Sequence, residues 1–268
     1  MNLTFLGSGN IARAIIGGLI AGGTKPSDIT AADPFPTALD EATKLGIKTT
    51  DNNHDAVDSA DVVVISVKPN IVPELAQSIA SDVGDRLLIS VAAGVTTTSL
   101  SHWLAPGAHI VRCMPNTPAQ IQSGITGLYA TPHITLEERD TAEGILGAVG
   151  ETIWVENEAV LNAVTAVSGS GPAYFFYMME VMQEAAIALG LSSDIAQKLV
   201  LETALGACKM AHAEIANKSP AQLRREVTSP GGTTEAALNV LSGRDLSGIF
   251  REAINAANAR SIELAKDA

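Results

Sequence analysis

Two glycine-bearing stretches carry residue types that could do chemistry. Near the start, Phe5-Leu6-Gly7-Ser8-Gly9-Asn10-Ile11-Ala12 fits a GxGxxA pattern. In that pattern the first glycine permits a tight turn and the second lets a pyrophosphate approach the backbone. The small third residue lets helix and strand pack closely. The helix that opens there offers free amides and a partial positive charge. Gly7, Ser8, Gly9, Asn10 and Ile11 follow an apolar run and open a helical one, the context a dinucleotide site needs. The second stretch is Val227-Thr228-Ser229-Pro230-Gly231-Gly232-Thr233-Thr234. Its glycines let consecutive amides converge on an anion, and a helix starting near Thr233 adds its N-terminal field. Taken alone, the loop is equally compatible with a glycine turn and a threonine N-cap holding no ligand.

The elements that must position these residues change character partway along the chain. Leu3–Leu6 reads as a strand, followed by a helix from Asn10 to about Ala21, a strand over Ile29–Ala32 and a helix around Thr37–Leu45. Asp61–Val67, Leu87–Ala92 and His109–Met114 read as further strands, with Ile125–Ala130 and Glu151–Val155 as later ones. Continuously apolar strands separated by helices indicate a mostly parallel sheet covered on both faces. After about Glu158 the strands stop. Pro172–Leu189, Asp194–Ala216 and Leu246–Ala265 read as long helices. The expected fold is an α/β Rossmann domain over 1–158 followed by an all-α dimerisation domain over 159–268. The first of these helices carries Phe175, Phe176, Met178, Met179 and Met182. That is more apolar surface than ~110 residues readily cover. Burial against a second copy is the expected remedy, with a self-covered bundle as the alternative.

Strand ends add further candidates, because ligands of open α/β sheets bind outside the carboxyl edges. Asp33 lies about where an acidic residue hydrogen-bonds an adenosine ribose, unless it only caps the turn into Pro34. A carboxylate there repels a 2′-phosphate, and no arginine follows it. Val67-Lys68-Pro69 and Ala92-Ala93-Gly94 end the next two strands, and Lys68 faces either ribose and phosphate or solvent.

Composition excludes several classes. The 268 residues are 46% hydrophobic and 17% charged, which argues against disorder, and the formal net charge of -12 argues against nucleic-acid and anionic-membrane partners. Cys113 and Cys208 have neither disulfide-framework nor metal-ligand spacing, and the five histidines show no paired spacing, so no metal is expected. Leu3–Ile20 is largely apolar but lacks a preceding basic residue, carries Arg13 and is broken by Gly7 and Gly9. It fits strand, turn and helix better than a secretion signal, so a cytoplasmic location is expected.

The sequence resembles the pyrroline-5-carboxylate reductases along essentially its whole length. The carriers are the N-terminal glycine pattern, Val67-Lys68-Pro69, Ala92-Ala93-Gly94-Val95 and Met114-Pro115-Asn116-Thr117-Pro118. Ser168-Gly169-Ser170-Gly171-Pro172-Ala173-Tyr174 follows, and most specifically Val227–Thr234. The resemblance implies reduction of Δ1-pyrroline-5-carboxylate to proline by NADPH, with NADH possible. It also implies homodimers that assemble further, up to a decamer. It places Asn53 at the adenosine end of the cofactor, Ser229, Gly231, Gly232 and Thr233 around the substrate carboxylate, and Thr234 beside the ring nitrogen as the catalytic group. One departure stands out: many relatives carry Asn-Arg or a hydroxyl residue where this chain has Asp33-Pro34, so the usual NADPH preference does not carry over directly. Two rivals are a β-hydroxyacid dehydrogenase and a non-catalytic dinucleotide sensor. The first needs a lysine on the interdomain helix, and none occurs between Lys68 and Lys198. The second has no use for an anion site such as Ser229–Thr234.

Overall fold

The structure is a computed structural model and describes residues 1–267. By backbone contacts the chain forms two compact units. The first comprises Met1–Pro172 with the segment from Ala256 onward, and the second Ala173–Asn255.

The first unit is built on eight strands. These are β1 (Leu3–Leu6), β2 (Ile29–Ala32), β3 (Lys48–Thr50), β4 (Val62–Ile65), β5 (Leu87–Ser90), β6 (Ile110–Met114), β7 (Gly124–Ala130) and β8 (Gly150–Trp154). They lie in the order β3-β2-β1-β4-β5-β6-β7-β8. Every pairing is parallel except β6 with β7. The exception has a simple cause. Only a 3-10 turn, Thr117–Ile121, separates those strands, and a parallel return needs a crossover of roughly a dozen residues or more.

Seven helices of this unit cover the sheet and its edges: α1 (Asn10–Ala21), α2 (Pro36–Thr43), α3 (Asn53–Asp58), α4 (Val72–Val83), α5 (Thr97–Trp103), α6 (Leu136–Gly147) and α7 (Val160–Val164). The strands are apolar on both sides because each face has its own core. Val62, Val64, Leu87 and Ile89 join Ile15, Ile16 and Leu19 of α1 and Ile145 and Leu146 of α6 on one face. Val63, Ile65 and Leu88 join Val72, Leu75 and Ile79 of α4 and Leu100 of α5 on the other. The period-2 alternation of the strand splits neighbouring residues between the two cores. In α1 the buried set Ala12, Ile15, Ile16 and Leu19 repeats at helical spacing. Each of the larger three contributes about 1.5–3 kcal/mol by burial.

In the second unit helices follow one another without strands. They are the greater part of α8 (Gly171–Ala188), then α9 (Ser193–Ala213), α10 (Pro220–Glu226), α11 (Thr233–Gly243) and the first part of α12 (Leu246–Asp267). Its own core is small: Ala196 and Val200 are the buried residues of α9, and α11 has none. Phe175, Phe176 and Tyr177 are 61%, 64% and 65% exposed in the single chain. That is the apolar surplus the composition led us to expect. Among the described residues no helix is long and apolar enough to cross a membrane.

Candidate functional site

The sheet reverses direction of growth between β1 and β4, so a crevice opens at their carboxyl edges, where open α/β folds bind ligands. Gly7 follows β1 there with φ +96°. Its amide donates to Ala32 O at 2.7 Å. A Cβ at Gly7 would fall 2.8 Å from Val67 Cγ1 and 2.9 Å from the Ser66 carbonyl, so only glycine fits. The turn is tied to β4 by the Ser66 hydroxyl, which donates to Leu6 O and Gly7 O at 3.1 and 2.8 Å.

Gly9 is different. It is the N-cap of α1, in ordinary extended backbone, and its side gives no cap hydrogen bond. A Cβ built there would meet nothing within 4 Å. The protein itself therefore does not require a glycine at this position. An exposed, bare backbone at an uncapped helix N-terminus is what a pyrophosphate requires, and the residues present fit a dinucleotide. Arg13, one turn into α1, donates to Ser8 O and to Asn10 Oδ1, bracing the loop from within. Ile11 is half-buried and packs on the core beneath.

Asp33 combines features of both readings of its role. Its Oδ1 accepts the Phe35 amide at 3.0 Å, a turn cap, while Oδ2 accepts the Ser8 amide at 2.8 Å. The carboxylate thus reaches from the end of β2 to the glycine loop. Asn53 opens α3, a helix the apolar pattern did not reveal, and its neighbour Asn52 is the N-cap, accepting from His54 N at 3.0 Å. Val67, Lys68 and Pro69 lie just beyond the end of β4, with Lys68 and Pro69 exposed and Val67 half-buried. Beyond β5, Ala92 and Gly94 are buried and Ala93 half-buried. Gly94 has φ +79°, and a Cβ there would come within 3.3 Å of Leu264 on α12.

The candidates of the second unit lie in one loop. The Gly232 amide donates to Ser229 O at 3.0 Å, and Gly231, with φ +70°, donates its amide to Glu235 Oε2 at 2.7 Å. Both glycine amides are therefore engaged inside the loop rather than free to converge on an anion. The N-cap of α11 is Gly232, without a side-chain cap, so no threonine fills that role. The first-turn amides at Thr233 and Thr234 are what the helix presents, beside the exposed Ser229. The Thr228 hydroxyl donates to Arg224 O at 2.6 Å and fixes the loop to α10.

Sequence reasoning missed one buried charge network. Arg112 on β6 is 5% exposed and pairs with Glu158 at 2.7 Å. A lone arginine in an apolar strand was the available signal, because a buried charge demands a partner. Burial also pushes the Cys113 thiol well above its usual pKa, keeping it protonated.

The crevice and the glycine loop define a Rossmann-type dinucleotide-binding protein, followed by a helical region. Residues 2–94 match the family described as NADP oxidoreductase, coenzyme F420-dependent, and residues 158–264 that described as pyrroline-5-carboxylate reductase dimerisation. The pyrroline-5-carboxylate reductase of Pseudomonas aeruginosa is 44% identical over 266 residues, 98% of this chain and 97% of that one. The chain belongs to the pyrroline-5-carboxylate reductase family. Among solved structures, the Coxiella burnetii pyrroline-5-carboxylate reductase is 43% identical with a TM-score of 0.94, covering 98% of both chains. The Plasmodium falciparum pyrroline carboxylate reductase with NADP bound is 25% identical with a TM-score of 0.88, covering 99% of this chain and 98% of that one.

Proposed function

We propose that this chain reduces Δ1-pyrroline-5-carboxylate to L-proline by hydride transfer from NAD(P)H, the last step of proline synthesis. The observation that carries the reading is the 44% identity over nearly the full chain to a reductase of that name. The bare Gly9 backbone in the β1–β4 crevice supports the cofactor half.

In this reading the amides at the start of α1, at Gly9, Asn10 and Ile11, hold the pyrophosphate, while Gly7 and Ser8, whose own amides bond Ala32 O and Asp33, shape the turn beneath it. Asp33 and Asn53 line the adenosine end, and Lys68 with its neighbours Val67 and Pro69 takes ribose or phosphate. Ala92, Ala93 and Gly94 flank the reacting end. When bound, NAD(P)H supplies the hydride. The substrate carboxylate sits at the N-terminus of α11, where the Thr233 and Thr234 amides and the Ser229 hydroxyl donate to it. Glycines 231 and 232 shape that loop. The Thr234 hydroxyl lies by the ring nitrogen and is the residue we assign to catalysis. A protonated imine is already a good hydride acceptor, so orientation and electrostatics supply most of the rate, and solvent delivers the proton.

We assign 1–158 to cofactor binding and 159–268 to pairing and substrate binding, in homodimers able to build larger rings in the cytoplasm. The test is steady-state reduction of Δ1-pyrroline-5-carboxylate with NADPH and NADH side by side. Turnover is expected with at least one, and Asp33→Asn should move the ratio toward NADPH by removing a carboxylate that repels the 2′-phosphate. A protein that binds cofactor yet reduces no imine would overturn the assignment.

A further inference from the structure

Two loops lie at the carboxyl edges of neighbouring strands, residues 91–96 after β5 and residues 115–118 after β6. One continuous segment, residues 158–169, holds both. Glu158 accepts the Thr97 amide and the Thr97 hydroxyl at 2.7 Å each, and the Arg112 guanidinium at 2.7 Å. Its carboxylate thus joins the first turn of α5, the strand β6 and the start of the segment that follows β8. Arg112 stands in register with Ser90, the last residue of β5. Further along the same segment the helix widens into a π-turn, Thr165–Gly169, closed by the Ser170 amide on Thr165 O at 2.8 Å. There the Asn116 side-chain amide donates to Ser168 Oγ at 3.2 Å, while Asn116 Oδ1 accepts the Ile125 amide at 3.0 Å. Gly169 leaves space for the Met114 methyl, since a Cβ would approach its Cε to 2.5 Å.

Three donors on one carboxylate are more than the neutralisation of Arg112 requires. A bond to Arg112 alone would satisfy the charge, but the two bonds to Thr97 fix the end of the loop containing Ala92, Ala93 and Gly94. With the adenosine half of a dinucleotide directed to β2 by Asp33, the reacting half extends the other way, across the edges of β4 and β5. The loop that Glu158 fixes is therefore the wall of the reacting end. Hydride transfer needs its two carbons held at about 3–3.5 Å, and a displacement of about 1 Å costs on the order of 100-fold in rate.

We propose that Glu158 is a positioning residue for hydride transfer, acting through Thr97 and Arg112 on the loop after β5. The inference rests on the function proposed above. It assigns Glu158 no contact with substrate, cofactor or reacting atoms.

The experiment compares the unaltered chain with Glu158→Gln, Thr97→Val and Thr97→Ser in single-turnover reduction of Δ1-pyrroline-5-carboxylate, using ordinary and 4-deuterated cofactor. Cofactor Kd and melting temperature are measured on the same samples. Glu158→Gln should slow hydride transfer about 10–100-fold, with cofactor Kd and imine KM close to those of the unaltered chain. The isotope effect on steady-state turnover should rise as the hydride step becomes limiting. Thr97→Val, which keeps the amide bond and the Arg112 pair, should show a smaller fall in the same direction. Thr97→Ser, which keeps the hydroxyl, should restore the rate. If Glu158→Gln does not fold, the two Thr97 variants decide alone. Variants that melt lower but transfer hydride at the unaltered rate and isotope effect would overturn the proposal, leaving Glu158 a structural group. Failure of the unaltered chain to reduce the imine would instead overturn the function reading, which separates the two failures.

Discussion

Two glycines of the loop after β1, two residues apart, should respond in different ways to one added methyl group. At Gly7 an alanine must adopt φ +96°, a conformation costing about 1–3 kcal/mol for a non-glycine residue. Its Cβ would also stand 2.8 Å from Val67 Cγ1 and 2.9 Å from the backbone of Ser66, and overpacking of that kind costs about 1–3 kcal/mol more. Gly7→Ala should therefore lose about 2–6 kcal/mol, a large share of the roughly 5–15 kcal/mol that holds a domain folded. At Gly9 the backbone is at φ −73° and ψ −174°, open to any residue, and nothing lies within 4 Å of the new atom. Alanine is a poorer N-cap than glycine, by up to about 1 kcal/mol, but it restricts the unfolded chain by about 0.4–1 kcal/mol. The two nearly cancel, so Gly9→Ala should keep the stability of the unaltered chain to within about 1 kcal/mol. Its methyl group, however, occupies the space a pyrophosphate needs, and cofactor affinity should fall at least about tenfold, or ~1.4 kcal/mol. Urea unfolding and a fluorescence titration with NADPH, run on both variants, separate the two effects. A Gly9→Ala protein that binds cofactor as tightly as the unaltered chain would refute the placement of the pyrophosphate.

Other expectations follow from the same structure. Thr234→Ala should lower kcat/KM about 10–100-fold through the lost hydrogen bond, and an unchanged value in steady-state assays would remove its catalytic role. Phe176→Asp puts a charge on the exposed apolar face of α8. Sedimentation should then find a monomer without activity, and an active monomer would contradict a need for pairing. Burial alone would raise the Glu138 pKa, but hydrogen bonds from the Thr135 amide and from His109 outweigh it and hold the carboxyl below the usual carboxylate range. A lowered carboxylate pKa stabilises above its unfolded value, and that stability is lost as pH falls through the folded one. The loss of stability as pH falls through the carboxylate range should therefore be shallower for Glu138→Gln than for the unaltered chain, and identical slopes would argue against the link.

Where local pattern and burial coincide, the sequence was legible. β1, α1 and β2 fall at Leu3–Leu6, Asn10–Ala21 and Ile29–Ala32, as their apolar periodicity and glycine boundaries indicate. β3, Lys48–Thr50, is not legible, because an edge strand of exposed and half-buried polar residues carries no apolar signal. The helices α4 and α6 are not legible in the same way, since the valine- and isoleucine-rich strands on either side dominate the pattern there. The antiparallel turn between β6 and β7 depends on a connection length rather than on any residue type. At the candidate site the conformation of the glycine loop is legible, because only glycine suits the positive φ and close packing at Gly7. The bonds of Glu158 to Thr97 and Arg112, and of Gly231 to Glu235, could not be read in the same way. In the first case the partners lie 61 and 46 positions away. In the second, nothing in the types Gly and Glu distinguishes that pairing from a free amide.

The helix α12 leaves one unit and ends in the other, and this bears on how the chain comes to be folded. Its later residues belong with the sheet: Leu264 lies over Gly94, and the buried Ser261 hydroxyl donates to Asn162 Oδ1 at 2.9 Å. The first unit is therefore interrupted in sequence by the whole of the second. During synthesis the sheet can collapse early, since all eight of its strands end by Trp154. The cover over the loop after β5 arrives only when the ribosome has passed Leu264, after all the intervening helices have been made. Until then Gly94 and its neighbours remain uncovered. The nascent chain would thus gain the parallel strand order of the sheet before the loop after β5 is covered.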